Sequence, residues 1–235
     1  MSGPIVLVQL GEPVVETRAR VGTYSLWFQR AISEPLGVVD LRDPDQEIPE
    51  DAAGVIFMGS PASVTEPHPW LPRALDAARR VLEGGIPTLG VCFGHQLFCV
   101  AQGGRVARSE VVEIGTVEVE MTPEAAKDPL FGQLPQRYEI NSSHDDTIVE
   151  LPADSPPQLL GRSERERNMV LRWGPQAWSV QFHPEMRREE TKFSIFWRTP
   201  RVEEEGGDAQ ALLEQCHDAP VGADLLQRFV NLVRG

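Results

Sequence analysis

Ile86-Pro87-Thr88-Leu89-Gly90-Val91-Cys92-Phe93-Gly94-His95-Gln96-Leu97-Phe98-Cys99-Val100-Ala101-Gln102 is the stretch on which the fold turns. Its first six residues read as a short buried strand, and Gln96 to Gln102 as a helix stopped by Gly103-Gly104. The G-x-C-x-G between them sits at a strand-to-helix junction. Glycines there permit a turn tight enough to hold Cys92 up at the strand end, with room for a ligand to approach the backbone. A thiol at a helix N-terminus meets unpaired N–H groups and the positive end of the dipole, both of which favour thiolate. Such a short pattern also arises by chance, and a buried cysteine is commonly a small core hydrophobe. The surrounding chain has to decide between these readings.

Upstream, strand and helix patterns alternate. Ile5 to Leu10, Leu36 to Leu41 and Gly54 to Met58 read as strands, Tyr24 to Ile32 as a short helix, and Trp70 to Glu83 as an amphipathic helix capped by Gly84-Gly85. From Arg105 the period switches to two, most clearly in Thr116 to Met121, Tyr138 to Ile140 and Thr147 to Val149. These read as antiparallel strands with one solvated face. A doubly wound first half and a mixed second half predict a flavodoxin-like three-layer α/β/α fold, its sheet mostly parallel with antiparallel strands late in the chain. Arg201 to Gly207 reads as a loop and Gly222 to Val233 as a closing helix. The expected organisation is a single domain over 1–235, with a catalytic core to about 186 and a helical extension over 187–235.

About ninety residues after the cysteine, Ala177-Trp178-Ser179-Val180-Gln181-Phe182 reads as another strand, followed by His183-Pro184-Glu185. In open parallel sheets, ligands and reactive groups gather at the C-terminal ends of strands. An imidazole can deprotonate a thiol when its other nitrogen is held by an acceptor, and a carboxylate two residues on, across a proline, can be that acceptor. Cys92, His183 and Glu185 in that order are a candidate nucleophile triad.

At this point the chain resembles the class I (triad-type) glutamine amidotransferase family. Gly90 to Gln96 and Val180 to Glu185 look like its two signatures. Gly54-Val55-Ile56-Phe57-Met58-Gly59-Ser60-Pro61 is similar to its strand and glycine loop, with Gly-Ser-Pro where Gly-Gly-Pro is usual. Ser142-Ser143-His144-Asp145-Asp146 resembles its Ser-His substrate loop. The likeness spans roughly residues 5 to 185 and is nearest to the free-standing GMP-synthase-like and gamma-glutamyl-peptidase-like branch. It implies attack by Cys92 on a side-chain amide through a gamma-glutamyl thioester, with Phe93 N–H and the Ser60 amide, supported by Gly59, as oxyanion donors. It further implies substrate contacts from Gln96 and from the loop holding Ser143, His144 and Asp145.

His95 reads as structural, since it faces away from the start of its helix. His68 and His217 have no partner motif, and no ligand spacing for a metal is present, so the expectation is no metal and no cofactor. There is no P-loop. The three cysteines (Cys92, Cys99, Cys216) do not suggest a disulfide framework, and no secretory or membrane-spanning apolar run is evident, which points to a reducing, cytoplasmic setting. A net charge of −13 argues against nucleic acid or an anionic membrane as partner. Two enzymatic readings follow from the resemblance: free-standing hydrolysis of glutamine or a gamma-glutamyl compound, and an ammonia-supplying glutaminase that works with a separate synthase subunit. The helical extension and the missing ATP motif lean toward the first. A third reading, thiol redox sensing or binding, leaves His183-Pro184-Glu185 without a role. Whether Glu34, Asp145 or Arg162 to Arg167 shapes the leaving-group side stays open on sequence alone.

Overall fold

The computed structural model describes residues 2–235. Four apolar runs, β1 (Ile5–Gln9), β3 (Gly54–Phe57), β4 (Thr88–Val91) and β9 (Ala177–Val180), are buried along their whole length. Strands covered on both faces need such continuous apolar sequence rather than alternation. With β2 (Gly37–Asp40) they form the parallel part of one sheet, in the order β2-β1-β3-β4-β9. The sheet continues antiparallel through β8 (Val170–Gly174), β7 (Gln158–Arg162), β5 (Arg105–Met121) and β6 (Arg137–Glu150), nine strands among the described residues. Helices α2 (Tyr24–Ala31) and α7 (Pro220–Arg234) cover one face through Phe28, Leu226 and Phe229; α3 (Leu71–Gly84) and α4 (Phe93–Ala101) cover the other through Ala74, Ala78 and Phe98. This is the flavodoxin-like three-layer arrangement with a mixed sheet.

Register sets up the site. Val91 of β4 lies opposite Val180 of β9, and Gly90 opposite Phe57 of β3. Cys92 one residue past β4, His183 three past β9, and Gly59 two past β3 therefore emerge at one end of three adjacent strands. The Cys92 N–H donates to Val180 O (2.9 Å) and the His183 N–H to Asn141 O on β6 (2.9 Å), which pins both loops.

Two expectations about local structure are corrected. Ser142 to Asp146 is not a loop but part of β6, paired with β5 through Ser142 with Gly115, Ser143 with Ile114 and His144 with Glu113. A register shift between Arg108 and Glu113 breaks the ladder beside Asp145, and the polar sequence there hides the strand. Arg201 to Glu204 is likewise not a loop but the end of α5 (Arg188–Glu204), which runs through Pro200. Arg201 anchors that end on Asp145, Ser109 O and Glu205, and Val202 is buried. Two short helices, α1 (Val15–Val21) and α6 (Ala209–Gln215), were not foreseen. Among the described residues no helix is long and apolar enough to cross a membrane.

Candidate active site

Cys92 sits at the N-terminus of α4 with φ 51° and ψ −100°, and among the described residues it alone combines positive φ with a side chain. A residue held there stores about 1–3 kcal/mol of strain, which the flanking sheet and helix must hold in place. This conformation turns the thiol out of the β4 line and places it within electrostatic reach of His183. The imidazole's Nδ1 meets Glu185 Oε1 at 2.7 Å, and both side chains are buried. Burial disfavours charge on thiol and imidazole alike. The electrostatic attraction between them outweighs it for Cys92, holding its ionisation below the usual thiol range. Glu185, together with the thiolate, likewise overcomes burial and raises His183 well above the ordinary imidazole value. Both shifts run in the direction that favours a thiolate–imidazolium pair.

The direction of these shifts has a measurable consequence. A thiol with a lowered ionisation point is thiolate at every pH above it, so its reactivity persists on acidification and vanishes only below that point. Iodoacetamide should therefore alkylate Cys92 well below pH ~8.5, where ordinary thiols are losing reactivity. Cys99, which burial pushes up to about 12, and Cys216, also raised by burial, should not compete. Glu185→Gln removes the charge that favours imidazolium and should move the profile back toward that of an ordinary thiol. Mass-spectrometric rates against pH test this, and an ordinary thiol profile for Cys92 in the intact protein rejects it.

Gly59 touches this pair directly: a Cβ built on it would stand 2.8 Å from His183 Cε1. Ser60 lines the cavity in front of Cys92. Its hydroxyl donates to Leu10 O (2.9 Å) and accepts from the Ala62 N–H (3.1 Å), and its backbone does not have positive φ. Phe93 begins α4, so its N–H lies among those a helix leaves without an internal acceptor.

The residues expected to meet substrate have unlike surroundings. Ser143 lines the cavity, and its carbonyl lies 4.0 Å from Cys92 Sγ. Gln96, His144 and Asp145 do not line it. The Gln96 amide is buried and donates to Asp146 O (2.9 Å) and Gln181 Oε1 (3.1 Å), tying α4 to two strands. His144 is buried against Glu113 (Nε2 to Oε1 3.3 Å), and that carboxylate holds its ionisation above normal against the opposing effect of burial. Glu113 also accepts from the hydroxyls of Ser142 and Ser163, so a closed polar network backs β6. The Asp145 carboxylate pairs with Arg198 and Arg201 of α5. Glu34 pairs with Arg234, and Arg162, Arg165 and Arg167 line a separate groove of about 960 Å³ beside α6. His95 is fully buried, with Nδ1 2.7 Å from Ser179 Oγ, and burial pushes its ionisation down to about 3. A permanently neutral imidazole fits a structural place. Among the described residues no group of three or more His, Cys, Asp or Glu side chains is placed to hold a metal ion.

The rest of the cavity wall was missed by sequence reasoning. It comes from Val14 and Thr17 at α1, Tyr24 and Trp27 of α2, and Ser194, Trp197 and Arg198 of α5. The one sequence signal was Phe196-Trp197, an aromatic pair on an otherwise charged helix.

The sequence matches the family model for glutamine amidotransferase class-I over residues 30–198. It is 36% identical over 136 residues to a GMP synthase (glutamine-hydrolyzing) of Aeropyrum pernix, covering 58% of this chain and 25% of that protein. For the Aquifex aeolicus GMP synthase (glutamine-hydrolyzing) the figures are 32% over 189 residues, 78% of this chain and 33% of that protein. The chain thus spans a quarter to a third of the length of these curated relatives. A solved glutamine amidotransferase from Thermotoga maritima has the same fold, with TM-score 0.74 at 21% identity over 99% of this chain and 98% of that one. A glutamine amido transferase from Methylobacillus flagellatus gives TM-score 0.64 at 24% identity over 98% and 90%.

Proposed function

Because this chain belongs to the class I glutamine amidotransferase family, we propose that it hydrolyses the side-chain amide of glutamine or a gamma-glutamyl compound, using Cys92, His183 and Glu185. The observation that carries this reading is the buried chain of contacts from Cys92 through His183 to Glu185, at the aligned ends of β4 and β9. Cys92 Sγ attacks the amide carbon and forms a C–S bond, giving a tetrahedral oxyanion. Phe93 N–H and the Ser60 amide, with Gly59 leaving the space open, are the donors for that oxygen. Protonated His183 delivers its proton to the departing nitrogen as the C–N bond breaks, leaving a gamma-glutamyl thioester. Water, deprotonated by His183, then attacks the thioester. Glutamate departs and the thiol is restored. Glu185 holds the imidazole tautomer and stabilises its charge throughout.

A second reading has its own support. The GMP synthases matched here are three to four times longer than the matched segment, so this chain corresponds to only one part of them. In that reading the chain releases ammonia for a synthase carried on another chain. The test is to incubate the purified chain alone with glutamine, gamma-glutamyl dipeptides and glutathione, measuring released ammonia or amine. Turnover by the lone chain is the expected result. Silence from a folded protein, relieved only by adding a synthase subunit, would move the function to the second reading.

A further inference from the structure

The chamber in front of Cys92, about 100 Å³ in volume, has an outer lining that release of ammonia does not require. Its outer wall is built by helices away from the strand ends, and the Trp197 indole N–H donates to Thr17 Oγ1 (2.9 Å), joining α5 to α1 across it.

The polar groups on that wall are all able to donate. The hydroxyls of Tyr24 and Ser194 have no hydrogen-bond partner among the described residues. Arg198 spends only Nε on Asp145 (3.2 Å), so both Nη groups remain available. Tyr24 lies within electrostatic reach of Cys92 and Arg198, and burial first, then the thiolate, pushes its ionisation up, so it stays a neutral donor. Among the described residues no acidic side chain lines the chamber. Of the nearby carboxylates, Asp145 pairs with Arg198 and Arg201, whereas Glu185 and Glu12 each spend one oxygen, on His183 and Gln9, and leave Oε2 buried without a partner. Between the donors the surface is apolar, from Trp27, Met186 and Trp197. Val14 and Trp197 line the chamber and are also exposed, and their chain neighbours Val15 and Phe196 are exposed apolar side chains as well. A guanidinium with both Nη groups free, beside a neutral phenol hydroxyl and an apolar surface, suits an anion attached to an apolar body, and neither feature serves ammonia.

We propose that this chamber is a leaving-group subsite for the amino-acid part of a gamma-glutamyl dipeptide. The leaving residue's carboxylate is held by the Arg198 guanidinium and the Tyr24 hydroxyl, and its apolar side chain lies against Trp27 and Trp197. The inference rests on the hydrolase reading above and specifies its substrate class. A site built to bind a charged group discriminates against an analogue lacking it, because its own polar groups are then left unpaired.

The test compares kcat/KM for gamma-glutamylphenylalanine and gamma-glutamylphenethylamide, which share the same amine body and differ in the carboxylate, with glutamine as third substrate. The intact protein should prefer the dipeptide over the phenethylamide by about 10-fold or more, the lower end for a charge-assisted contact because Arg198 is 28% exposed. Arg198→Gln should bring that ratio close to one, chiefly by raising KM for the dipeptide. Arg198→Lys, which keeps the charge, should retain most of it. Asp145 still has Arg201 in both variants, so the fold is expected to survive. Equal use of the two substrates by the intact protein overturns the subsite. So does a ratio unchanged in Arg198→Gln, or a uniform loss on both substrates, which is what a purely structural arginine would give. Turnover of glutamine without preference removes the subsite alone, whereas absence of turnover on all three removes the hydrolase reading and the subsite with it.

Discussion

Replacing Cys92 by alanine is expected to lower turnover of every gamma-glutamyl substrate by at least about 10⁴-fold, the scale seen when a triad nucleophile is removed. The thioester route needs a sulfur at this point, and the other two cysteines, Cys99 and Cys216, lie outside the chamber. The proposed oxyanion donors remain, so the residue of activity is what those donors would achieve with water alone. A second effect is independent of chemistry. The backbone at position 92 has φ 51° whichever side chain occupies it, and alanine keeps the Cβ that makes this conformation costly. Glycine does not. Cys92→Gly should therefore melt above Cys92→Ala, by about 1 kcal/mol or roughly 2–4 °C for a chain of this size, although both are inactive. Substantial activity in the alanine variant would remove Cys92 from the mechanism. Equal melting of the two variants would show that no strain is held at the elbow.

The difference between these two variants also bears on what the sequence makes legible. The elbow is local: apolar strand, glycines and helix are contiguous, and the backbone conformation they enforce could be read from Gly90 to Gln96. The meeting of Cys92 with His183 is not local, yet it was readable because adjacent parallel strands place their C-terminal ends together. Positions governed by pairing rather than by composition were harder. Ser142 to Asp146 has a polar, turn-like sequence, and its strand conformation is imposed by β5 and by the buried Glu113–His144 contact. Arg201 to Gly207 read as a loop, and Pro200 just before it cannot donate to the carbonyl four residues earlier. The anchoring of Arg201 and the burial of Val202 hold the helix through it.

The outer wall of the chamber was the least legible part. Val14, Tyr24, Trp197 and Arg198 come from three helices, separated by up to 184 positions, and no spacing rule links them. Their convergence depends on α5 lying across α1 and β6, a packing decision made by side chains such as Trp197 on Thr17 and Arg198 on Asp145. Asp145 illustrates the point. It was expected at the substrate; its carboxylate pairs with Arg198 and Arg201 of α5, and it does not line the chamber.

Gly94→Ala should produce the largest loss of stability among single-methyl additions near the site. A Cβ at this position would stand 2.5 Å from Phe57 O and 2.8 Å from Phe57 Cβ. Neither atom belongs to a flexible side-chain end: Phe57 is fully buried in β3, between β1 and β4. Helix α4 must therefore lift from the sheet, and it is packed on its other sides as well, since nearly all its residues are buried. Forced overpacking of this kind costs about 3 kcal/mol, which corresponds to a fall in Tm of roughly 6–12 °C. The displacement also moves Phe93 N–H and the thiol relative to His183. A misplacement of about 1 Å can cost on the order of 100-fold in rate, so the surviving folded protein should be slow as well as unstable. Gly174→Ala is the control, because nothing lies within 4 Å of its added Cβ and its φ is not positive. It should melt within about 0.5 kcal/mol of the parent and keep its activity. If the two variants melt together, α4 does not rest on β3 as closely as the structure has it, and the elbow is held by the backbone conformation at Cys92 rather than by the contact beneath Gly94.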